Sequence, residues 1–319
     1  MSGSISVVTV FLERTECIRS ARLTTCIALQ IALYHFAKRA SVFLAGFLLL
    51  GLVSCTRHRA PESLALSAKH SYSDQAYRRV LSEHVSEDGL VDYTSLQQSP
   101  GHLGEYYRQV ARYSPDSHPA LFPSEQDRLA YWINAYNATV MWNVLQHYPI
   151  SSVKEVDEPL LLGFLPDLAG FFLFQRFTYG AEETNLYYLE KRVILKRFDD
   201  PRVHFALNCA SRGCPRLPTK PFTGTKLDEE LNREAHLFIN DPKYVRIEPA
   251  KNRIYLSSIF KWYEKDFTLW LEKEYPRGEI SLLEYIKNYS KADRLRAIEE
   301  LGEDPEVHFL PYDWGLNDH

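Results

Sequence analysis

The sequence predicts an α+β fold, a predominantly helical single domain around a small β-sheet. Three observations predict it. Apolar residues recur at helical spacing in most of the periodic segments. Extended signals are short, the clearest being the paired runs 244–248 and 253–257 around Pro249-Ala250-Lys251-Asn252. No shift in composition splits residues 71–319, so they read as one globular domain. The 319 residues are 45% hydrophobic and 24% charged, enough for a sizeable core. A formal charge of −4 is too mild to imply a nucleic-acid partner. The 20 Tyr and 17 Phe suit a packed core or an aromatic-lined cleft.

Residues 1–55 read as an address. Lys38-Arg39 precedes an apolar run too short to span a membrane and right for a signal peptide. The run ends in Leu52-Val53-Ser54-Cys55, which resembles the bacterial lipobox, whose cysteine is lipidated and becomes the new N-terminus. The expected partner is therefore a membrane, reached through a lipid anchor at Cys55. Thr56 follows where an aspartate would resemble an inner-membrane retention signal, so the expected location is the periplasmic face of the outer membrane. Glu13 and Glu16 suit no signal n-region, which points to translation starting downstream, near Leu33. With either start, Cys17 and Cys26 are absent from the mature protein. Residues 56–70, with Pro61, read as a tether.

The domain begins with helices expected over 73–85 and 103–113, with a turn at Asp88-Gly89 and a short extended piece over 90–93. The strongest helical signal follows Pro123. Ser124 stands as N-cap with Asp127 at N3, and the helix runs to about His147. Leu129, Trp132, Ile133, Tyr136, Val140 and Val144 form one apolar face. The opposite face is uncharged, so this helix is expected to be buried on most sides, with Asn134 and Asn137 needing partners. Two apolar segments follow, 160–164 and 171–178, the second read as a strand. Thr184 opens a helix to about Phe198 that carries Glu190 on its inner face, where burial demands a partner. Asp199-Asp200-Pro201 breaks that helix and launches an expected strand over 203–208. Helices are expected over 227–240, 259–267, 280–289 and 291–301, and a strand and turn over 307–314 close the chain.

Chemistry concentrates at 201–218. Cys209 and Cys214 lie on a loop with Ala210, Ser211 and Gly213, and His204 starts the expected strand. Two readings stay open. The cysteines could form a disulfide, since an oxidising compartment permits it and the spacing suits it. Alternatively, Cys209 is a nucleophile past a strand end, with loop N–H groups able to hold an oxyanion. Strand alternation turns His204 to the face opposite Cys209. Two thiols and one histidine are too few for a metal site, and no metal or other cofactor is expected. Asn134 and Asn137 either tie down neighbouring backbone or orient a group at the site. Asp313 and Trp314 in the closing turn stand behind it.

Four blocks carry a resemblance. These are Tyr131-Trp132-Ile133-Asn134-Ala135-Tyr136-Asn137-Ala138; His204 to Ser211 with Gly213-Cys214-Pro215; Ile259-Phe260-Lys261-Trp262-Tyr263 with Asp266-Phe267; and Tyr312-Asp313-Trp314 with Leu316-Asn317. Over about residues 120–317 the chain resembles the domain of unknown function 547 family. The family's activity is not established, so the resemblance implies no reaction. Plant members have serine near the second cysteine, which adds weight to Cys209. The family often reads Ile-Glu-His where this chain has Leu189-Glu190-Lys191, so a family base at that histidine is replaced here by a cation. The expected function is a cysteine-dependent hydrolase or acyl or amide transferase, with Cys209, Glu190, His204, Asn134 and Asn137 at the site. The alternatives are a non-catalytic periplasmic module for a small-molecule, peptide or glycan ligand, and a thiol–disulfide protein using Cys209 and Cys214.

Overall fold

The computed structural model describes residues 56–58, 71–156 and 168–319. Cys17, Cys26, the signal run with Cys55, and the apolar segment 160–164 lie outside the described residues. The fold is α+β and predominantly helical, with two small three-stranded sheets among the described residues.

Helices α1 (Gln75–His84), α2 (Tyr93–Gln98) and α3 (Gly101–Arg112) precede the long α4 (Glu125–His147). A capping box starts α4. Ser124 Oγ accepts from Asp127 N at 3.0 Å, and Asp127 Oδ2 accepts from Ser124 N at 3.2 Å. Every residue from Leu129 to Leu145 is buried, as the uncharged opposite face predicts. Helix α4 is thus the axis of a hydrophobic core shared with α1 to α3 and with the first sheet.

That sheet has the order β1-β2-β3, with β1 (Thr56–Arg57) parallel to β2 (Gln175–Tyr179) and β3 (Glu182–Thr184) antiparallel to it. Thr56 and Arg57, expected in a tether, are therefore strand residues. The strand expected over 171–178 begins only at Gln175, because Ala169–Phe172 forms the short helix α5. Next, α6 (Leu186–Tyr188), a π-helical stretch over Leu189–Ile194, and α7 (Leu195–Arg197) follow one another without a break.

The expected strand over 203–208 is absent. Pro201–Phe205 forms a 3₁₀ helix instead. Asp200 accepts from Arg202 N at 3.0 Å as its cap, and Pro201 sits where a fixed helical φ is favourable. A short apolar run buried on all sides shows no period, so pattern alone could not separate the two. Strand alternation therefore no longer governs where His204 lies.

A second core packs on the other sheet, whose order is β4-β5-β6. Strands β4 (Val245–Glu248) and β5 (Arg253–Ser257) form the expected hairpin, and β6 (Glu306–Leu310) joins β5 in parallel. Around it lie α8 (Leu227–Asn240), α9 (Ser258–Trp262), α10 (Glu264–Glu274), α11 (Leu282–Lys287) and α12 (Ala292–Glu299). The helix expected over 259–267 is broken at Tyr263, whose φ of −120° and ψ of 19° leave the helical range. Residues 201–210 straddle both cores. Phe205 packs in the second, while Val203, Ala206, Leu207 and Ala210 pack in the first. Among the described residues no helix is long and apolar enough to cross a membrane.

Candidate functional site: a disulfide beside a buried charge cluster

Helix α4 and the C-terminal segment hold the cysteine loop from two sides. Asn137 Nδ2 donates to Ala206 O at 2.9 Å, and Asn208 N donates to Asn137 Oδ1 at 2.8 Å. One turn earlier, Asn134 Nδ2 donates to Phe222 O at 2.8 Å and Asn134 Oδ1 accepts from Phe222 N at 2.9 Å. Both ends of each amide are thus taken by backbone. The two asparagines clamp loops in place and present no free polar atom to a ligand. From the other side, Asn317 N donates to Ala210 O at 3.0 Å, Arg212 N to Gly315 O at 2.7 Å, and Gly213 N to Asp313 O at 2.8 Å. Gly213 is required by this approach, since a Cβ there would lie 2.9 Å from Asp313 N. Ala210 is held at φ 61°, a conformation a non-glycine residue adopts only when its surroundings enforce it.

Within this frame Cys209 and Cys214 are joined in a disulfide, with their Cα atoms 6.2 Å apart. Cys209 is half-buried and Cys214 buried. Cys209 N donates to Cys214 Sγ at 2.8 Å. The Tyr312 hydroxyl lies 3.1 Å from Cys209 Sγ and 3.2 Å from Cys214 Sγ, and Ser211 Oγ lies 3.2 Å from Cys209 Sγ. Burial pushes the Tyr312 hydroxyl well above the ordinary tyrosine range, so it keeps its proton and acts as a donor. With a single proton, it serves one sulfur at a time.

A cluster of charged and phenolic groups lies behind Tyr312, built on the π-helical stretch. Glu190 Oε1 accepts from the Tyr263 hydroxyl at 2.7 Å, and its Oε2 accepts from the Tyr136 hydroxyl at 3.3 Å. Lys191 Nζ stands 2.8 Å from Glu190 Oε1 and donates to the Tyr263 hydroxyl at 3.0 Å. Burial works against the charge on Glu190, but Lys191, followed by the Tyr263 hydroxyl, outweighs it and holds the carboxyl below its ordinary range. In a regular α-helix, adjacent side chains diverge by about 100°. Here the widened turn carries Glu190 and Lys191, which meet on one tyrosine, and such bulges concentrate at functional sites.

His204 closes the cluster. Its Nε2 lies 2.8 Å from Asp266 Oδ2, and its ring stacks on Tyr263 with centroids 3.9 Å apart. Burial lowers its pKa more than Asp266 restores it, so the imidazole is neutral and donates Nε2–H to the carboxylate. Among the described residues, the polar side-chain partners of Cys209 Sγ are hydroxyls, and His204 is not one of them. Asp313 is exposed. Its carbonyl holds Gly213 and its Oδ1 accepts from Gly315 N at 2.9 Å. Trp314 packs on Tyr312 with ring centroids 4.5 Å apart.

The structure therefore brings Cys209, Cys214, Asp313 and Trp314 to one place. It sets Glu190 and His204 in the neighbouring cluster and Asn134 and Asn137 beneath as clamps. Tyr312, Tyr263, Asp266, Ser211 and Tyr136 were not singled out for chemistry. All five stand in the sequence blocks that carry the resemblance, so the signal is present without a role attached. Among the described residues, no three His, Cys, Asp or Glu side chains converge as a metal site would require.

No curated protein and no solved structure matches the chain. The resemblance read from sequence over 120–317 is matched in its N-terminal part, and the blocks at 259–267 and 312–317 lie beyond that match. Over residues 122–239, which carry both cysteines, both clamping asparagines and the Glu190–Lys191 turn, the chain matches the family described as Protein of unknown function, DUF547.

Proposed function

We propose that this chain is a thiol–disulfide exchange protein of the cell envelope, with Cys209 and Cys214 as its redox centre. The asymmetry of the pair carries the reading. Cys209 is half-buried and open to an incoming thiol, whereas Cys214 is only 4% exposed. A neutral disulfide has no need of hydrogen-bond donors, but a departing thiolate does. Cys214 Sγ has two, the Cys209 N–H and the Tyr312 hydroxyl. A substrate thiolate attacks Cys209 Sγ, the S–S bond breaks, and Cys214 leaves as a thiolate. The substrate's second thiolate then attacks its own sulfur in the mixed disulfide, and Cys209 leaves. The substrate loses two electrons and forms its disulfide. The protein gains two electrons, and the two thiol protons end on Cys209 and Cys214. A partner disulfide restores the starting state by the same steps in reverse.

An acyl- or amide-transfer reading needs a base at Cys209 Sγ. The neighbouring groups are hydroxyls, and His204 is committed to Asp266, so the geometry supports that reading less. The proposed setting is the periplasmic face of the outer membrane, with a lipid anchor at Cys55. It rests on the apolar run ending in Leu52-Val53-Ser54-Cys55 and on the compartment a lasting disulfide requires.

The test is a redox titration of the folded chain in glutathione buffers, with free thiols counted and circular dichroism followed. A reversible two-electron transition without loss of fold is expected. In thiol-trapping, Cys214→Ser should accumulate a mixed disulfide at Cys209, and Cys209→Ser should trap far less. A disulfide that resists reduction until the chain unfolds would make the pair a staple and refute the proposal.

A further inference from the structure

Aromatic rings gather around the tyrosine at the disulfide. Tyr312, which touches both sulfurs, packs against Trp262 with centroids 4.8 Å apart and against Trp314 at 4.5 Å. The two tryptophans stack on each other at 5.9 Å. Trp262 is 36% exposed and packs on the tyrosine that touches both sulfurs. An open depression lined by Lys261, Trp262, Glu264, Lys265 and Thr268 continues from it.

Strand β6 leads to the same place. It lies at the edge of its sheet and runs through Pro311 directly into Tyr312. Glu306 N donates to Asn252 O, which fixes the register: alternate residues of β6 from Glu306 onward face β5. The N–H and C=O groups of Val307 and Phe309 then point away from β5, toward an edge that no strand among the described residues covers. Val307 is 44% exposed.

Resting on the redox reading above, the geometry points to an extended, cysteine-bearing polypeptide as the substrate, in preference to a small thiol. Its backbone pairs with the outer edge of β6, the mode by which a sheet edge takes up a strand. Apolar side chains beside its cysteine lie on Trp262 and Trp314, and the thiol arrives at Cys209. From Phe309 to Tyr312 is three residues, about 10 Å of extended chain, so one short segment reaches both features. A small thiol uses neither the edge nor the platform. A glycan could stack on the tryptophans, but it has no thiol and no use for the strand edge.

The experiment compares the rates at which glutathione and an unstructured dithiol peptide, with Phe and Leu flanking one cysteine, reduce the oxidised chain. Two variants are read alongside. Trp262→Ala removes the exposed ring. Val307→Pro removes an N–H that β5 does not use, a substitution that edge strands tolerate. The peptide is expected to react at least about tenfold faster per thiolate than glutathione, and each variant to lose about tenfold of the peptide rate, roughly one good aromatic or strand contact. The glutathione rate should change less than about twofold, since that reaction reads the intact disulfide and fold. Equal losses for both thiols, or no loss for either, would overturn the inference and leave the redox reading standing. If neither thiol opens the disulfide, both fall. Competition by chitotetraose against the peptide would reassign the platform to a glycan.

Discussion

Asn137→Ala separates the clamping role of the α4 asparagines from a chemical one. Asn137 is 2% exposed and its amide closes two bonds, to Ala206 O at 2.9 Å and from Asn208 N at 2.8 Å. Ala206 and Asn208 are themselves buried, so water does not replace the lost amide. Leaving a buried backbone donor or acceptor unpaired costs about 1–3 kcal/mol each. Two such groups put the expected loss at about 2–6 kcal/mol, a large share of the roughly 5–15 kcal/mol by which domains are stable. The measurement is urea unfolding of oxidised wild type and variant, reading the shift in midpoint at constant m-value. The thiol-exchange rate of the folded fraction should stay within a few-fold, since no atom of Asn137 reaches the sulfurs. A stability loss under about 1 kcal/mol, or a large rate loss in a fully stable variant, would refute the clamp and return the amide to the chemistry.

Tyr312→Phe removes a donor from the reduced site. A hydrogen bond to a charged group contributes about 1.5–3 kcal/mol, or roughly 1–2 pKa units, and one hydroxyl shared by two sulfurs puts the effect toward the lower end. The more acidic thiol of the reduced variant should titrate higher, read from the pH dependence of its alkylation; an unchanged profile would sink the assignment. Stability should also fall on acidification. Burial, first of all, lowers His58 and His204 beneath the ordinary 6.5, so the unfolded chain takes up their protons first and stability drains away as pH falls below that value. Glu190, held below its ordinary 4.5, adds to the loss further down. Thermal midpoints that stay flat or rise between pH 7 and 4 would contradict these directions.

What was legible in the sequence was what local rules encode. The capping box fixed the start of α4, its apolar and uncharged faces predicted burial, and Pro249-Ala250-Lys251-Asn252 predicted the β4–β5 hairpin. Less was legible where burial is complete or where geometry depends on distant partners. Residues 203–208 are buried throughout, so their hydrophobicity has no period, and the cap at Asp200 decided for a 3₁₀ turn. The π-helical turn at Leu189–Ile194 left no trace in pattern, since an α-helix of the same sequence would bury Leu189, Val193 and Ile194 as well. Tyr263 was hidden differently. It looked like one more apolar position in a helix over 259–267, whereas the helix breaks there and its ring joins His204 to Glu190 across more than fifty residues.

The cysteine loop itself argues for chemistry over cross-linking. A disulfide closing a loop of six residues restrains the unfolded chain by only about 2 kcal/mol, near the bottom of the usual scale. The loop is already held without it. Asn137 grips Ala206 and Asn208, Asn208 Oδ1 accepts from Ala210 N at 2.9 Å, and residues 210, 212 and 213 bond to the segment 313–317. At about 1 kcal/mol net each, these six bonds hold the loop more firmly than the cross-link does. The φ of 61° at Ala210 points the same way, because a strained backbone directly after Cys209 persists only where its neighbours enforce it. None of these six bonds involves a sulfur, so the frame of the loop does not depend on the S–S bond. A loop framed independently of its disulfide is what the proposed exchange requires, and a staple has no need of it.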